Sequence, residues 1–189
     1  MTQPKSTDPD TLHDEWLVVG CQLGERPAFD ELIERWHVPL WKYARRLTGD
    51  EDAARDTVQD IWVRVLRSIA RLHDGTRLRP WLFAIARHVL MDRLRHQYAQ
   101  PPTTDIDAAE NAAALEPVAG REEDLIEMEA GLSRLPLAER EVLTLFYLQE
   151  LSLAQVAELL DVPIGTVKSR LFRARRALRS GFGSTERPS

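Results

Sequence analysis

The chain has 189 residues, 43% of them hydrophobic, and a formal net charge of −5. That apolar share is enough for one large packed core or two small ones. The single cysteine, Cys21, excludes an intramolecular disulfide framework and a zinc–cysteine cluster, and no apolar run approaches the roughly 18–20 residues of a membrane span.

Residues 1–14 are polar, without the apolar stretch of a signal peptide. A cytoplasmic chain with no direct membrane insertion is therefore expected. The net charge conceals a strong pattern. Residues 163–180 carry six basic side chains (Lys168, Arg170, Arg173, Arg175, Arg176, Arg179) and no acid. Residues 71–97 carry six arginines against Asp74 and Asp92, whereas residues 105–129 carry nine acids against Arg121 alone. Attraction to phosphates depends on the local patch, not on the total.

Helical periodicity recurs along the chain and strand-like alternation does not. A short helix is expected over 10–23, around Trp16, Leu17 and Val19. A longer one is expected over 27–47, with Phe29, Leu32, Ile33, Trp36, Leu40, Ala44 and Leu47 at three–four spacing. Pro39 should kink it and Gly49 should end it. Asp50 suits the N-cap of the next helix, whose stripe is Ala54, Val58, Ile61, Trp62, Val65 and Ile69. Residues 71–79 read as a loop. A further helix opens near Pro80 and carries Leu82, Ile85, Val89, Leu90 and Leu94, with Trp81 assigned to its core.

After Gln97 the composition turns to Pro, Asp, Ala and Glu, which reads as an acidic, flexible linker. Four helices are expected beyond it: 122–135, 136–149 opened by Pro136, 152–160 capped by Ser152, and 163–180. The fold class is all-α, with two small helical domains. The divisions are an extension over 1–25, a first domain over 26–98, a linker over 99–121, a second domain over 122–182 and a tail over 183–189.

The last helix can be read face by face. At about 100° per residue, Val167, Leu171, Ala174 and Leu178 fall on one side and must face the core. Ser169, Phe172, Arg173 and Arg176 lie opposite. Lys168, Arg175 and Arg179 flank one edge, Thr166 and Arg170 the other. Arginines offer forked donors to guanine, and an apolar ring suits a thymine methyl. The flanking cations suit phosphates, and Gly165 allows close backbone approach. An apolar helix with Val156, Ala157 and Leu160 precedes it across the short turn Asp161-Val162-Pro163, the layout of a helix-turn-helix.

The run Leu135-Pro136, Arg140-Glu141-Val142-Leu143, Leu151-Ser152, Val156-Ala157 and Val162-Pro163-Ile164-Gly165-Thr166-Val167-Lys168-Ser169-Arg170 through Arg173-Ala174-Arg175 resembles region four of bacterial sigma factors. Within the sigma-70 family it is most similar to the extracytoplasmic-function group. Asp161 stands where that family usually has glycine, and it tolerates a left-handed backbone. The resemblance implies that Thr166, Lys168, Ser169, Arg170, Phe172, Arg173 and Arg176 read duplex DNA at the minus-thirty-five promoter element.

The segment Asp56-Thr57-Val58-Gln59-Asp60-Ile61-Trp62 resembles region two of the same family, which docks on core RNA polymerase. On helical geometry alone, Asp56, Gln59, Asp60 and Val63 share a face that would equally suit plain solvation; the resemblance assigns it to polymerase. Residues 80–95 resemble the reader of the minus-ten element. In the family, the loop before this helix and the helix start capture a base flipped from the melted non-template strand. That implies contacts from Arg79, Arg87, His88, Arg93 and Arg95, with residues 74–79 forming a pocket wall. His88 stands where the family often has asparagine.

The resemblance also implies an anti-sigma partner. No nucleophile–base set, phosphate loop or metal-ligand spacing is present, so neither enzyme chemistry, a small-molecule substrate, a cofactor nor a metal is expected. The helix-turn-helix by itself fits a repressor or activator as well, and a polymerase-binding adaptor is the other alternative.

Overall fold

The computed structural model describes residues 9–99 and 129–182, and every regular element among them is helical. The expectations for the linker from residue 100 onward, the helix start over 122–128 and the tail lie outside the described residues.

The first unit is built from α1 (Pro9–Gln22), α2 (Arg26–Thr48), α3 (Glu51–Ser68) and α4 (Leu78–Ala99). Helix α2 runs unbroken through Pro39 and ends on Gly49, whose left-handed φ of 75° lets its N–H bond Arg45 O at 3.0 Å. Asp50 then caps α3, accepting from Ala53 N at 2.6 Å. The α3 stripe of Ala54, Val58, Ile61, Trp62, Val65 and Ile69 is buried as its spacing predicts. It meets Leu32, Trp36, Leu40, Tyr43, Ala44 and Leu47 of α2 and Leu82, Phe83, Ala86, Val89 and Leu90 of α4.

Two departures concern α1 and the segment before α4. Helix α1 buries Asp14, Leu17, Val18, Gly20 and Cys21, while Trp16 (55% exposed) and Val19 (54% exposed) face outward. It packs on α2 and on the segment before α4. Residues 69–77, expected to be loop from 71, form two 3-10 turns (Ile69–Arg71 and Gly75–Arg77), and α4 starts at Leu78 with Pro80 inside its first turn.

The second unit comprises a helical segment at 129–133, α5 (Leu137–Leu143), α6 (Leu153–Leu160) and α7 (Ile164–Phe182). The expected single helix over 136–149 widens into a π turn at Thr144–Leu148, closed by Gln149 N to Thr144 O at 3.0 Å. Ser152 and Gln155 form a reciprocal capping box at the start of α6. Asp161 ends α6 at φ 54° and ψ 51°. Aspartate pays a steric penalty there that glycine does not. Asp161→Gly should therefore stabilise the fold by roughly 0.5–1 kcal/mol, read as a midpoint higher by a few degrees in thermal unfolding.

The two units are docked on one another. Helix α4 meets α6, and α2 meets α5. At the centre Glu141, only 4% exposed, accepts from Tyr43 Oη at 3.0 Å and from Arg87 Nε at 3.1 Å. Arg140 donates to Arg46 O at 3.0 Å across the joint, and to Ser133 O and Leu135 O on its own side. Three further pairs rim the contact: Arg46–Glu129 at 3.1 Å, Arg77–Glu158 at 2.6 Å and Arg79–Glu150 at 3.1 Å.

Candidate nucleic-acid interface

Helix α7 presents the faces its periodicity demands. Val167, Leu171 and Ala174 are at most 1% exposed, and Leu178 is packed beside them. On the opposite side Ser169, Phe172, Arg173 and Arg176 are exposed, with Phe172 at 60%. A large ring left this far in water on an otherwise cationic face is poor packing and good contact surface. Lys168, Arg175 and Arg179 are exposed along one edge, while Thr166 and Arg170 are half-buried along the other. Beyond its chain neighbours and its own helix backbone, nothing lies within 4 Å of where a Gly165 Cβ would stand, so the helix start is open to a close-approaching backbone.

Two cations of this face are oriented from within the second unit. Arg173 Nε donates to Glu139 on α5 at 2.9 Å, and Arg175 lies over the Tyr147 ring at 5.7 Å. Ser169 Oγ donates to Thr166 O at 2.9 Å, so its hydroxyl oxygen remains an acceptor on the surface.

The candidate residues on α3 and α4 are placed differently. Asp56, Gln59, Asp60 and Val63 are all exposed on one side of α3, joined by Leu66 at 48% exposure, which the sequence reading did not single out. Arg93 bridges from α4 to Asp56 at 2.8 Å and to Asp60 at 3.8 Å, so one guanidinium links the two predicted sets. Asp92 gathers His88 at 3.4 Å, Arg95 at 2.7 Å and Arg64 at 3.2 Å. Its carboxyl is held below the usual carboxylate range: desolvation raises it, but the Arg64 hydrogen bond and the nearby cations together outweigh that.

Arg79 and Arg87 are not free toward solvent, as contact with DNA would require. Arg79 is paired with Glu150 and lies over the Trp36 ring at 5.4 Å; Arg87 is tied to Glu141. Arg77, missed in the sequence reading, is engaged by Glu158. All three glutamates belong to the second unit. Trp81, assigned to the core, is only half-buried, at the edge of a cleft with Pro80, Gln155, Glu158 and Leu159. No signal in the sequence announces this docking, because each pair spans 54 residues or more.

No group of three or more His, Cys, Asp or Glu side chains suited to a metal occurs among the described residues. Nor is any described helix long and apolar enough to cross a membrane.

Comparison with known proteins gives this geometry a family. Residues 32–99 match the profile of sigma-70 region 2, and residues 125–178 match that of sigma-70, region 4. The extracytoplasmic-function (ECF) RNA polymerase sigma factor SigC of Mycobacterium tuberculosis is 33% identical over 162 residues, covering 86% of this chain and 87% of SigC. The chain belongs to the sigma-70 family.

Other similarities agree with that placement. The ECF sigma-E factor of Escherichia coli K12 is 29% identical over 180 residues, covering 89% of this sigma factor and 94% of the relative. Among solved structures, the sigma factor RpoE of Bartonella quintana, in complex with the anti-sigma factor NepR, shares the fold with a TM-score of 0.69. It is 24% identical, over 84% of this chain and 98% of that one. CnrH, in complex with the cytosolic domain of CnrY, has a TM-score of 0.68, is 24% identical, and covers 92% and 99%. The exposed α7 face thus lies in the sigma factor's region 4, and the α3–α4 cluster in its region 2.

Proposed function

We propose that this sigma factor is an alternative initiation factor of the ECF group that binds core RNA polymerase and directs it to promoters by reading two DNA elements. The observation that carries the reading is the α7 face: Ser169, Phe172, Arg173 and Arg176 project opposite a fully buried apolar stripe, with cations on the flanks. In this reading α7 lies in the major groove of the minus-thirty-five element, with Thr166, Lys168 and Arg170 holding the backbone. The exposed Asp56, Gln59, Asp60 and Val63 side of α3 docks on polymerase. The start of α4 and the turn before it receive the melted non-template strand of the minus-ten element, where Arg79, Arg87, His88, Arg93 and Arg95 contact phosphates and bases.

Because Arg79 and Arg87 are covered by the second unit, promoter opening requires the units to separate, and polymerase is the agent that holds them apart. The protein acts in the cytoplasm, and an anti-sigma factor, of the kind bound to the Bartonella quintana RpoE, is its expected antagonist. The test is transcription in vitro with purified core polymerase and a panel of candidate promoters. Promoter-specific transcripts support the reading. Core binding without transcripts, or DNA binding without core, would sink it in favour of an adaptor or a free-standing regulator.

A further inference from the structure

Helix α1 has no part in the assignments above, yet it is the element that holds residues 69–77. The Gln22 amide donates from Nε2 to two carbonyls of that segment, Ile69 O at 3.1 Å and Leu72 O at 2.8 Å. These carbonyls stand at the two ends of the first 3-10 turn, whose own closing bond runs from Leu72 N to Ile69 O at 3.1 Å. One amide nitrogen thereby occupies both its hydrogens on the turn's two ends.

The second turn is fitted to the same helix. A Cβ on Gly75 would lie 2.8 Å from the Glu15 Cα, so the turn sits against α1 backbone with no room for a side chain. Asp74 caps that turn through Thr76 N at 3.0 Å, and Leu78, fully buried, starts α4 immediately after it. Helix α1 is itself immobilised. Leu17, Val18 and Cys21 are in the core, and buried Asp14 accepts from Arg35 Nε at 2.9 Å and Trp36 Nε1 at 3.3 Å. This brace lies wholly within the first unit, so it persists when the second unit moves away.

We propose that Gln22 is a positioning residue for promoter melting: through the Ile69 and Leu72 carbonyls it fixes the turn that leads into residues 74–79, which on the reading above wall the pocket for the flipped base, and Gly75 fits that wall itself against α1. A flipped base is retained only if the pocket exists before it arrives, because unstacking must be offset at once by contacts. A segment free to rearrange would meet the base without a preformed wall. Glutamate at position 22 cannot replace the amide, since a carboxylate accepts and does not donate.

The experiment uses holoenzyme reconstituted with core polymerase and measures its affinity for a single-stranded minus-ten oligonucleotide, intact or abasic at the flipped position. The wild type should favour the intact strand. In Gln22→Ala and Gln22→Glu that preference should fall by about tenfold, the scale expected for losing two hydrogen bonds to backbone. Core affinity and binding to minus-thirty-five duplex should stay unchanged. Gly75→Ala should reproduce the loss from the other side of the brace. Variants that keep the wild-type preference, even with a lowered melting temperature, would overturn the positioning role while leaving the promoter-opening reading intact. A wild type with no preference for the intact strand would overturn that reading, and this inference with it.

Discussion

Removing the Glu141 carboxylate should release the two units from each other by about thirtyfold. Among the described residues Glu141 is the one acid buried in the joint, and both its hydrogen-bond partners, Tyr43 and Arg87, come from the first unit. In Glu141→Ala the Tyr43 hydroxyl and the Arg87 guanidinium lose their acceptor in the docked form and regain water in the open one. Removing one partner of a fully buried pair costs about 3–5 kcal/mol. Arg87 keeps 32% of its side chain in water, which lowers the expectation to roughly 2 kcal/mol. The rim pairs Arg77–Glu158 and Arg79–Glu150 are open to solvent on their glutamate side and add little to docking. Fluorescence energy transfer between dyes on α3 and α7 of the free chain reads the equilibrium directly. An unchanged distance distribution would show that Glu141 does not hold the joint.

The same residue makes docking depend on pH. Burial pushes the Glu141 carboxyl above its ordinary value of 4.5, against the pull of Arg87 and Tyr43. The docked form therefore binds the proton more tightly than the open form. Docking is favoured fully below the ordinary value and loses that contribution as pH rises through the raised one. Glu158 works the other way. Its hydrogen bond with Arg77 lowers its carboxyl, so its small contribution is present above 4.5 and is lost as pH falls below it. Acidification from neutral should tighten docking first, in the Glu141 window, and weaken it only further down. Glu141→Gln should abolish the first phase, and a titration that keeps it would assign the phase elsewhere.

How much of this was legible depends on whether partners are near in sequence. The α7 faces follow from period alone, because Val167, Leu171 and Ala174 form one stripe against a cationic remainder. The Asp50 and Ser152 caps follow from local hydrogen bonding within three residues. Helix α1 failed that test. Leu12, Trp16, Leu17, Val18, Val19 and Cys21 surround its axis, so period could not say that Leu17 and Val18 are buried while Trp16 is exposed. Tyr43 and Glu141 were missed for a different reason. Each is polar, and the burial of each is explained only by the other, 98 residues away. The docking that covers Arg79 and Arg87 belongs to this class: pairs of opposite charge carry no sequence mark of who meets whom.

Replacement of Arg176 and of Lys168 should separate base reading from backbone holding on α7. Arg176 lies on the outermost face and makes no ion pair among the described residues, unlike Arg173, which Glu139 already orients. Its alanine variant is thus the cleaner probe. If Arg176 reads a base edge, Arg176→Ala should cost about 1–3 kcal/mol on the cognate minus-thirty-five duplex, some five- to 150-fold in affinity, and little on scrambled duplex. Lys168 sits on the flank, one turn into the helix, where a phosphate is the natural partner. Lys168→Ala should weaken every duplex alike and reduce the slope of log affinity against log salt by about one. Titrations of both variants against both duplexes, at several salt concentrations, decide the matter. Equal losses on cognate and scrambled DNA for both would mean that α7 binds through charge alone. The specificity of initiation would then have to reside in the α3–α4 unit, where Arg79 and Arg87 become available only after Glu150 and Glu141 have withdrawn.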